Sequence, residues 1–284
     1  MPIATRAHKT RFAPSPTGWL HLGHAASALF AAERGFRFLL RLEDIDVSRC
    51  RPAYAAAICE DLEWLGLKWE PPVRVQSAHL SDYAGVLAEL SQRGLTYPCF
   101  CSRADIAAAG SAPHTPDGAR RYPGFCRALH PSMRADMLAE GRPHAIRLDM
   151  AGAIAVAGPL SVIDDGVRRA CDPAAFGDVV IGRRDSPTSY HLCVTHDDAR
   201  DSVTLVTRGE DLRAATDVHR LLQTLMGWPE PEYAHHPLLT DAAGVRLSKR
   251  DGATSLRSLR AAGCSPAEVR QRAQVWQHAM LPVA

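Results

Sequence analysis

His21 and His24 stand three residues apart in the segment "RFAPSPTGWLHLGHA", residues 11–25, at the start of an alanine-rich run with helical character. Imidazoles at that spacing share the mouth of a helix, where they offer ring donors to an anion. The N–H groups of a helix beginning near Leu22 form an anion site of their own, and Gly23 allows a flat or bulky ligand close to the backbone. Pro14 and Pro16 fix two φ angles and Gly18 permits a turn, so a strand ending near Phe12 reaches that helix on a defined path. A nucleotide triphosphate meets this description. The helix dipole contributes only roughly 0.3–1 kcal/mol toward an exposed anion, so a triphosphate transition state needs mobile cations as well. Lys249 in "RLSKR", residues 246–250, supplies one. Alone, an HxxH pair or an LSK loop is more often a solvated surface feature; together, and in this order, they carry weight.

A second constellation is Cys99 and Cys101 in "CFC" with Cys126 in "YPGFC". Three thiolates suit a structural zinc, which takes four N or S ligands in a tetrahedron. By ordinary ligand preference the fourth is His130, at C-x3-H spacing from Cys126, with His114 a weaker option. Cys50, Cys59, Cys171, Cys193 and Cys264 have no partner spacing and read as small core or surface residues.

The elements that must hold these groups follow from periodicity. "FRFLLRLED" is a strand pattern, "PAYAAAICEDLEWLG" a helix, and "SDYAGVLAELSQRG" a helix opened by a serine cap and closed by glycine. The pattern breaks between about residues 99 and 143, then resumes with strands in "HAIRLDM", "GDVVIG" and "SVTLVTRGEDL" and a helix in "ATDVHRLLQTLMGW". This is an α/β chain with a parallel sheet and an insertion, ending in two short amphipathic stretches, "SLRSLRAAG" and "SPAEVRQRAQVWQHAM". With 284 residues, 46% of them hydrophobic, it can bury a sizeable core. A net charge of +2 announces no nucleic-acid-binding field, though a local basic face remains open. The run "AASALFAA" is far short of the roughly 18–20 residues of a membrane span, and the start lacks a signal-peptide core, so a cytosolic location is expected.

"HLGH" resembles the HIGH signature of class I aminoacyl-tRNA synthetases and "RLSKR" their KMSKS loop, with Leu247 for the usual methionine and Arg250 for the final serine. "RFAPSPTGWLHLGHA" and "LRLEDID" resemble the glutamyl-tRNA synthetases, from about Arg11 to Arg250. Those enzymes continue into a long anticodon-reading domain, whereas few residues follow here. The chain is therefore similar to the glutamyl-Q tRNA(Asp) synthetases, shortened paralogues that attach glutamate to queuosine in the anticodon loop of tRNA(Asp).

The resemblance implies a Rossmann-like catalytic domain in two halves, residues 1–98 and 144–250, split by a zinc-binding insertion at 99–143 and followed by a short helical tail at 251–284. It implies activation of L-glutamate by ATP with Mg2+, and transfer of the glutamyl group to RNA. His21, His24 and Lys249 would act on the phosphates, with Gly23 and Ser248 also binding ATP. Arg11, Phe12, Ala13, Pro14, Ser15, Glu43, Tyr190 and Arg208 would form the glutamate pocket, arginines for carboxylates and Glu43 for the amine. For the zinc it points to Tyr122 rather than His130, from a C-x-C followed by Y-x3-C. Leaving a buried arginine unpaired costs on the order of 3–5 kcal/mol, so such a pocket would reject glutamine. Alternatives are a synthetase charging the 3′ end of tRNA(Glu), or a non-catalytic RNA-binding paralogue. Arg120, Arg121, Arg127, Arg183, Arg184, Arg257, Arg260, Arg270 and Arg272 are candidates for an RNA-facing surface, and a monomer is the default.

Overall fold

Short β-rich segments, each followed by a helix, assemble the sheet edge on which the histidines and arginines meet. The computed structural model describes residues 8–108, 114–239 and 254–274. Strands β1 (Lys9–Phe12), β2 (Arg37–Leu42) and β3 (Glu70–Val75) form a parallel sheet in that order. Helix α1 (Leu22–Arg34) follows β1, α2 (Pro52–Trp64) follows β2, and α3 (Leu80–Gln92) follows β3.

The next strands, β4 (Thr96–Cys99) and β5 (Ala145–Leu148), pair antiparallel. Between them lie α4 (Arg103–Ala108), α5 (Phe125–Ala128) and α6 (Pro131–Ala139). After α7 (Met150–Ala157) come a hairpin, β6 (Ser161–Asp164) with β7 (Val167–Ala170), and then β8 (Val180–Gly182), which completes the β4-β5-β8 sheet. Helix α8 (Tyr190–Arg200) leads into β9 (Leu205–Gly209), and α9 (Ala215–Met226) connects β9 to the parallel strand β10 (Glu232–His236). The strand order β7-β6-β10-β9 places β9 against β1, where Thr204 N–H donates to Lys9 O at 3.0 Å. Two crossover units thus diverge from the β1/β9 line, the arrangement that opens a crevice at the carboxyl ends of the strands.

Helix α1 buries Ala25, Ala26, Ala28 and Ala31, small residues that let it press between the sheet and α11 (Pro266–Ala273), which follows α10 (Leu256–Ala261), with Leu29 and Phe30 filling the same core. Helix α9 buries Val218, Leu221, Leu222 and Leu225 along one face, against α7 and α8. One expected cap is corrected. Helix α3 begins at Leu80 with His79 as its N-cap and no side-chain cap bond, so Ser81 lies inside the first turn. Strand β3 was hidden by Pro71 and Pro72, which the sheet accommodates at its edge, and β10, "EYAHH", by the polarity of its residues. Among the described residues no helix is long and apolar enough to cross a membrane.

The halves are locked through charge as well as packing. Asp198 on α8 accepts from Arg11 Nε at 2.8 Å and from Arg41 Nη1 at 2.7 Å, while Asp197 accepts from Arg74 Nε at 2.8 Å, Gln76 Nε2 at 2.9 Å and the Tyr83 hydroxyl. Arg11, Arg41 and Arg74 come from β1, β2 and β3, and all five charged residues are buried. Removing one acid leaves buried guanidinium groups uncompensated. Asp198→Asn should therefore lower unfolding stability by on the order of 3 kcal/mol in urea titrations; a change within experimental scatter would show that Arg11 and Arg41 find other partners.

Candidate active site

A cavity of about 410 Å³ opens at the carboxyl ends of β1 and β9. Arg11 to Ser15 reach it from the end of β1, Glu43 from the exit of β2, and Arg208 from β9. His21, Gly23 and His24 face it from the start of α1, and Tyr190 from the first turn of α8. Every described residue expected at the ATP and glutamate sites lines this one space. Ser248 and Lys249 lie outside the described residues. The chain flanking them is anchored at the cavity: Leu239 lines it, while Ser255 pairs with His21 and Leu256 N–H donates to Leu20 O at 2.8 Å.

The path into α1 is held by the strands around it. Glu43 N–H donates to Pro14 O and Arg51 N–H to Pro16 O, both at 3.0 Å. The helix mouth also differs from a row of free donors. His21 Nδ1 accepts from Gly23 N–H and His24 Nδ1 accepts from His21 N–H, both at 3.1 Å, so the imidazoles themselves cap the first turn. A Cβ at Gly23 would sit 3.0 Å from His21 Cε1, so a larger residue there would press on the capping ring and shift it by a few tenths of an ångström. With their Nδ1 atoms accepting, both rings, when neutral, carry the proton on Nε2.

The two pocket arginines are held differently. Arg11 is paired with Asp198 through Nε and Nη2 and donates through Nη1 to Thr207 O at 2.9 Å. Arg208 donates to His235 Nε2 at 3.3 Å, His219 Nδ1 at 3.1 Å and the Thr216 hydroxyl. Burial pushes the Glu43 carboxyl up from its ordinary pKa, against the pull of Arg41 and Arg11. Burial likewise raises the Tyr190 phenol, which Arg208 opposes. The site therefore concentrates guanidinium charge in a poorly solvated space, an environment that strengthens any bound carboxylate's attraction. Several neighbours of the candidate site residues escaped the sequence reading: Asp198, Thr207, His219, and the pair Ser27 Oγ and His236 Nε2 at 2.8 Å. "THDD" and "YAHHP" were the available signals.

In the insertion the Cys99, Cys101 and Cys126 sulfurs lie within 4.8 Å of one another. The Tyr122 hydroxyl is 3.5 Å from Cys101 Sγ and accepts from Cys126 N–H at 2.7 Å. His130 instead turns to its own helix, its Nδ1 accepting from Ser132 N–H at 3.3 Å. The donor set of three sulfurs and a phenolic oxygen is compatible with a tetrahedral zinc, and hydrogen bonds from Tyr122 and Phe100 N–H hold the Cys126 thiol below its ordinary pKa despite burial. Several arginines considered for RNA are engaged in the fold: Arg183 with Asp185, Arg184 with the carbonyls of Phe100 and Cys101, Arg127 with Asp178, Arg270 with Leu65 O.

Residues 8–272 match the family described as tRNA synthetases class I (E and Q), catalytic domain. The chain is similar to a glutamyl-Q tRNA(Asp) synthetase of Rhodobacter capsulatus, with 47% identity over 92% of this chain and 98% of that protein. It is 38% identical to a glutamate–tRNA ligase of Aquifex aeolicus over 91% of its own length, spanning 54% of that ligase. A glutamate tRNA ligase from Elizabethkingia meningosepticum, solved in complex with its amino acid, superposes with a TM-score of 0.71 at 29% identity, over 87% of this chain and 53% of that one.

Burial holds His191 at a pKa of about 4, below the ordinary 6.5. Between those values the unfolded chain binds the additional proton, so this group's contribution to stability falls as pH drops from 6.5 toward 4. His191→Asn lacks that titration. Urea unfolding should show the stability difference moving against the wild type by about 2 kcal/mol between pH 7 and pH 4.5; parallel profiles would mean His191 charges freely in the fold.

Proposed function

This chain belongs to the class I tRNA synthetases of the E and Q group, and from that premise we propose that it activates L-glutamate with ATP and transfers it to queuosine in the anticodon loop of tRNA(Asp). The observation that carries this reading is the single cavity that collects Arg11, Glu43, Tyr190 and Arg208 beside His21, Gly23 and His24. An α-carboxylate oxygen of glutamate attacks the α-phosphorus, the bond to the β-phosphate bridging oxygen breaks, and glutamyl-adenylate and pyrophosphate form. A hydroxyl of the modified nucleoside then attacks the acyl carbon and AMP leaves. The chain needs no nucleophile of its own; it holds the reactants and stabilises charge.

In this assignment His21 and His24 face the phosphates, Gly23 lets the nucleotide lie against the backbone, and Ser248 and Lys249 would bind the phosphates together with Mg2+. Arg11, Phe12, Ala13, Pro14, Ser15, Glu43, Tyr190 and Arg208 form the amino-acid pocket. Cys99, Cys101, Cys126 and Tyr122 hold a structural zinc, which would staple an insertion whose own buried core is small. The two halves at 1–98 and 144–250 form the catalytic unit, and α10 and α11 belong to the tail at 251–284. A cytoplasmic monomer suits substrates that are ATP and tRNA.

The 47% identity to the Rhodobacter capsulatus glutamyl-Q tRNA(Asp) synthetase, against 38% to the Aquifex aeolicus ligase, favours the queuosine reading over 3′-end charging. Labelled glutamate should enter only a tRNA pool that contains queuosine, and the labelling should survive periodate blocking of the 3′ end. Equal labelling of pools with and without queuosine, lost on blocking, would make the chain a 3′-end synthetase. Lys249→Ala should lose most glutamate-dependent exchange of pyrophosphate into ATP. For the insertion, metal analysis should find one zinc per chain in the wild type and none in Cys101→Ser; equal metal content in the two would remove the zinc assignment.

A further inference from the structure

Arg208 differs from Arg11, Arg41 and Arg74, the buried arginines of β1, β2 and β3, in what surrounds its charge. Arg11, Arg41 and Arg74 each meet an aspartate at 2.7–2.8 Å. Arg208 is 7% exposed, and among the described residues none of its hydrogen-bond partners is a carboxylate. Its guanidinium is fixed by two imidazole nitrogens and a hydroxyl, all uncharged acceptors.

Each imidazole is held in the accepting role by a partner on its other nitrogen. His235 accepts on Nε2, so its proton is on Nδ1, which donates to Asp164 Oδ1 at 2.8 Å. Asp164 is in turn engaged by Arg169 at 2.9 Å and Arg213 at 2.8 Å, which spends its negative charge away from Arg208. His219 accepts on Nδ1, so its Nε2 carries the proton and donates to His191 Nδ1 at 3.2 Å. The groups facing His219 are Arg208 from β9, and His191 and Tyr190 from α8, with ring centroids at 5.4 and 5.7 Å. None carries negative charge that would favour an imidazolium.

We propose that His219, supported by His235, is a positioning and specificity-determining residue: an uncharged acceptor that fixes Arg208 toward an acidic amino-acid substrate without neutralising it. This deepens, and rests on, the glutamate reading above. A carboxylate at residue 219 would hold the guanidinium equally well, as Asp198 holds Arg11, but would cancel the charge that the substrate's carboxylate must meet. An amide substrate would then compete on more even terms, because discrimination against it depends on a buried cation that the amide leaves uncompensated. Burial and the neighbouring Arg208 keep His219 well below the ordinary imidazole range, and burial and Arg208 bring His235 to about 4, so both lone pairs are present at neutral pH.

The experiment compares His219→Asn with His219→Asp in pyrophosphate exchange, measuring KM for glutamate, glutamine and ATP. The Asn Oδ1 can replace Nδ1 as a neutral acceptor, whereas Asp brings the same shape with a charge. His219→Asn should keep KM for glutamate within several-fold of wild type. His219→Asp should raise it by about 10- to 100-fold, in line with a lost charge-assisted interaction, and narrow the preference over glutamine, with KM for ATP unchanged. Glutamate KM and selectivity preserved in His219→Asp, or equal losses in both variants with KM for ATP moving in step, would overturn the proposal. If either variant fails to fold, His235→Gln against His235→Glu poses the same comparison at the other acceptor, with the same two readings. A wild type whose exchange does not depend on glutamate would sink the substrate assignment and this inference together; a glutamate-dependent wild type with indistinguishable variants sinks the inference alone.

Discussion

Two adjacent carboxylates on α8 hold this molecule together. Asp197 and Asp198 receive guanidinium groups from three successive parallel strands, Arg11 on β1, Arg41 on β2 and Arg74 on β3. Arg41 and Arg74 are direct cross-strand neighbours in register, so two like charges sit side by side in a nearly dry layer. Like charges directly opposite one another destabilise a sheet, and the aspartates convert that repulsion into a bridge. The cluster also fixes register. A one-residue slip of any strand would turn its arginine to the opposite face and strand a buried carboxylate. Because buried ion pairs are weak sources of net stability, specificity of alignment is the larger effect to expect from them.

That alignment propagates to the cavity. Asp198 neutralises Arg11 at the point where β1 ends, and Arg11 also ties itself to the backbone of β9 through Thr207 O. The crevice between the two crossover units is thereby closed at its base and open at its mouth. Arg208, one residue beyond Thr207, takes uncharged partners instead. The same sheet edge thus carries one guanidinium whose charge is balanced by a carboxylate of the fold and one held by uncharged acceptors. The difference lies in acceptor type, carboxylate for Arg11 and imidazole for Arg208.

Much of this was legible in the sequence, within a definite limit. Pro14, Pro16 and the "HLGH" run marked a helix mouth, and Arg208 at the end of an apolar strand pattern marked a sheet edge, because both are local features of chain stiffness and periodicity. The Cys99, Cys101 and Cys126 grouping was equally local in type, though Tyr122 came from resemblance to a family rather than from ligand preference. Which residue neutralises which was not legible. Arg11 and Asp198 are 187 positions apart, and nothing in the period of either segment points to the other. Strands β3 and β10 were missed because prolines and histidines, tolerated there by edge position and by specific buried partners, mask the alternation that marks a strand. The role of Gly23 was read from its freedom of approach, but the capping imidazole that overlies it is visible only in three dimensions.

The last link concerns α1, whose mouth carries His21 and His24. Its inner face packs on the sheet and its outer face on α11, where Val269 and Ala273 are fully buried in the same core as Leu29. Leu256, at the start of α10, is buried there too, and its N–H reaches back to Leu20 O directly before the histidine pair. The segment after Thr254 is therefore part of the frame that aims the imidazoles. A helix clamped on both faces cannot swing its first turn independently of the sheet edge. His21 and His24 are also fixed to backbone N–H groups through Nδ1, so the cap sets the orientation of both rings. Preorganisation of that kind is what a site without a protein nucleophile requires, since its contribution to rate must come from donors already in place when charge develops on the reacting phosphate.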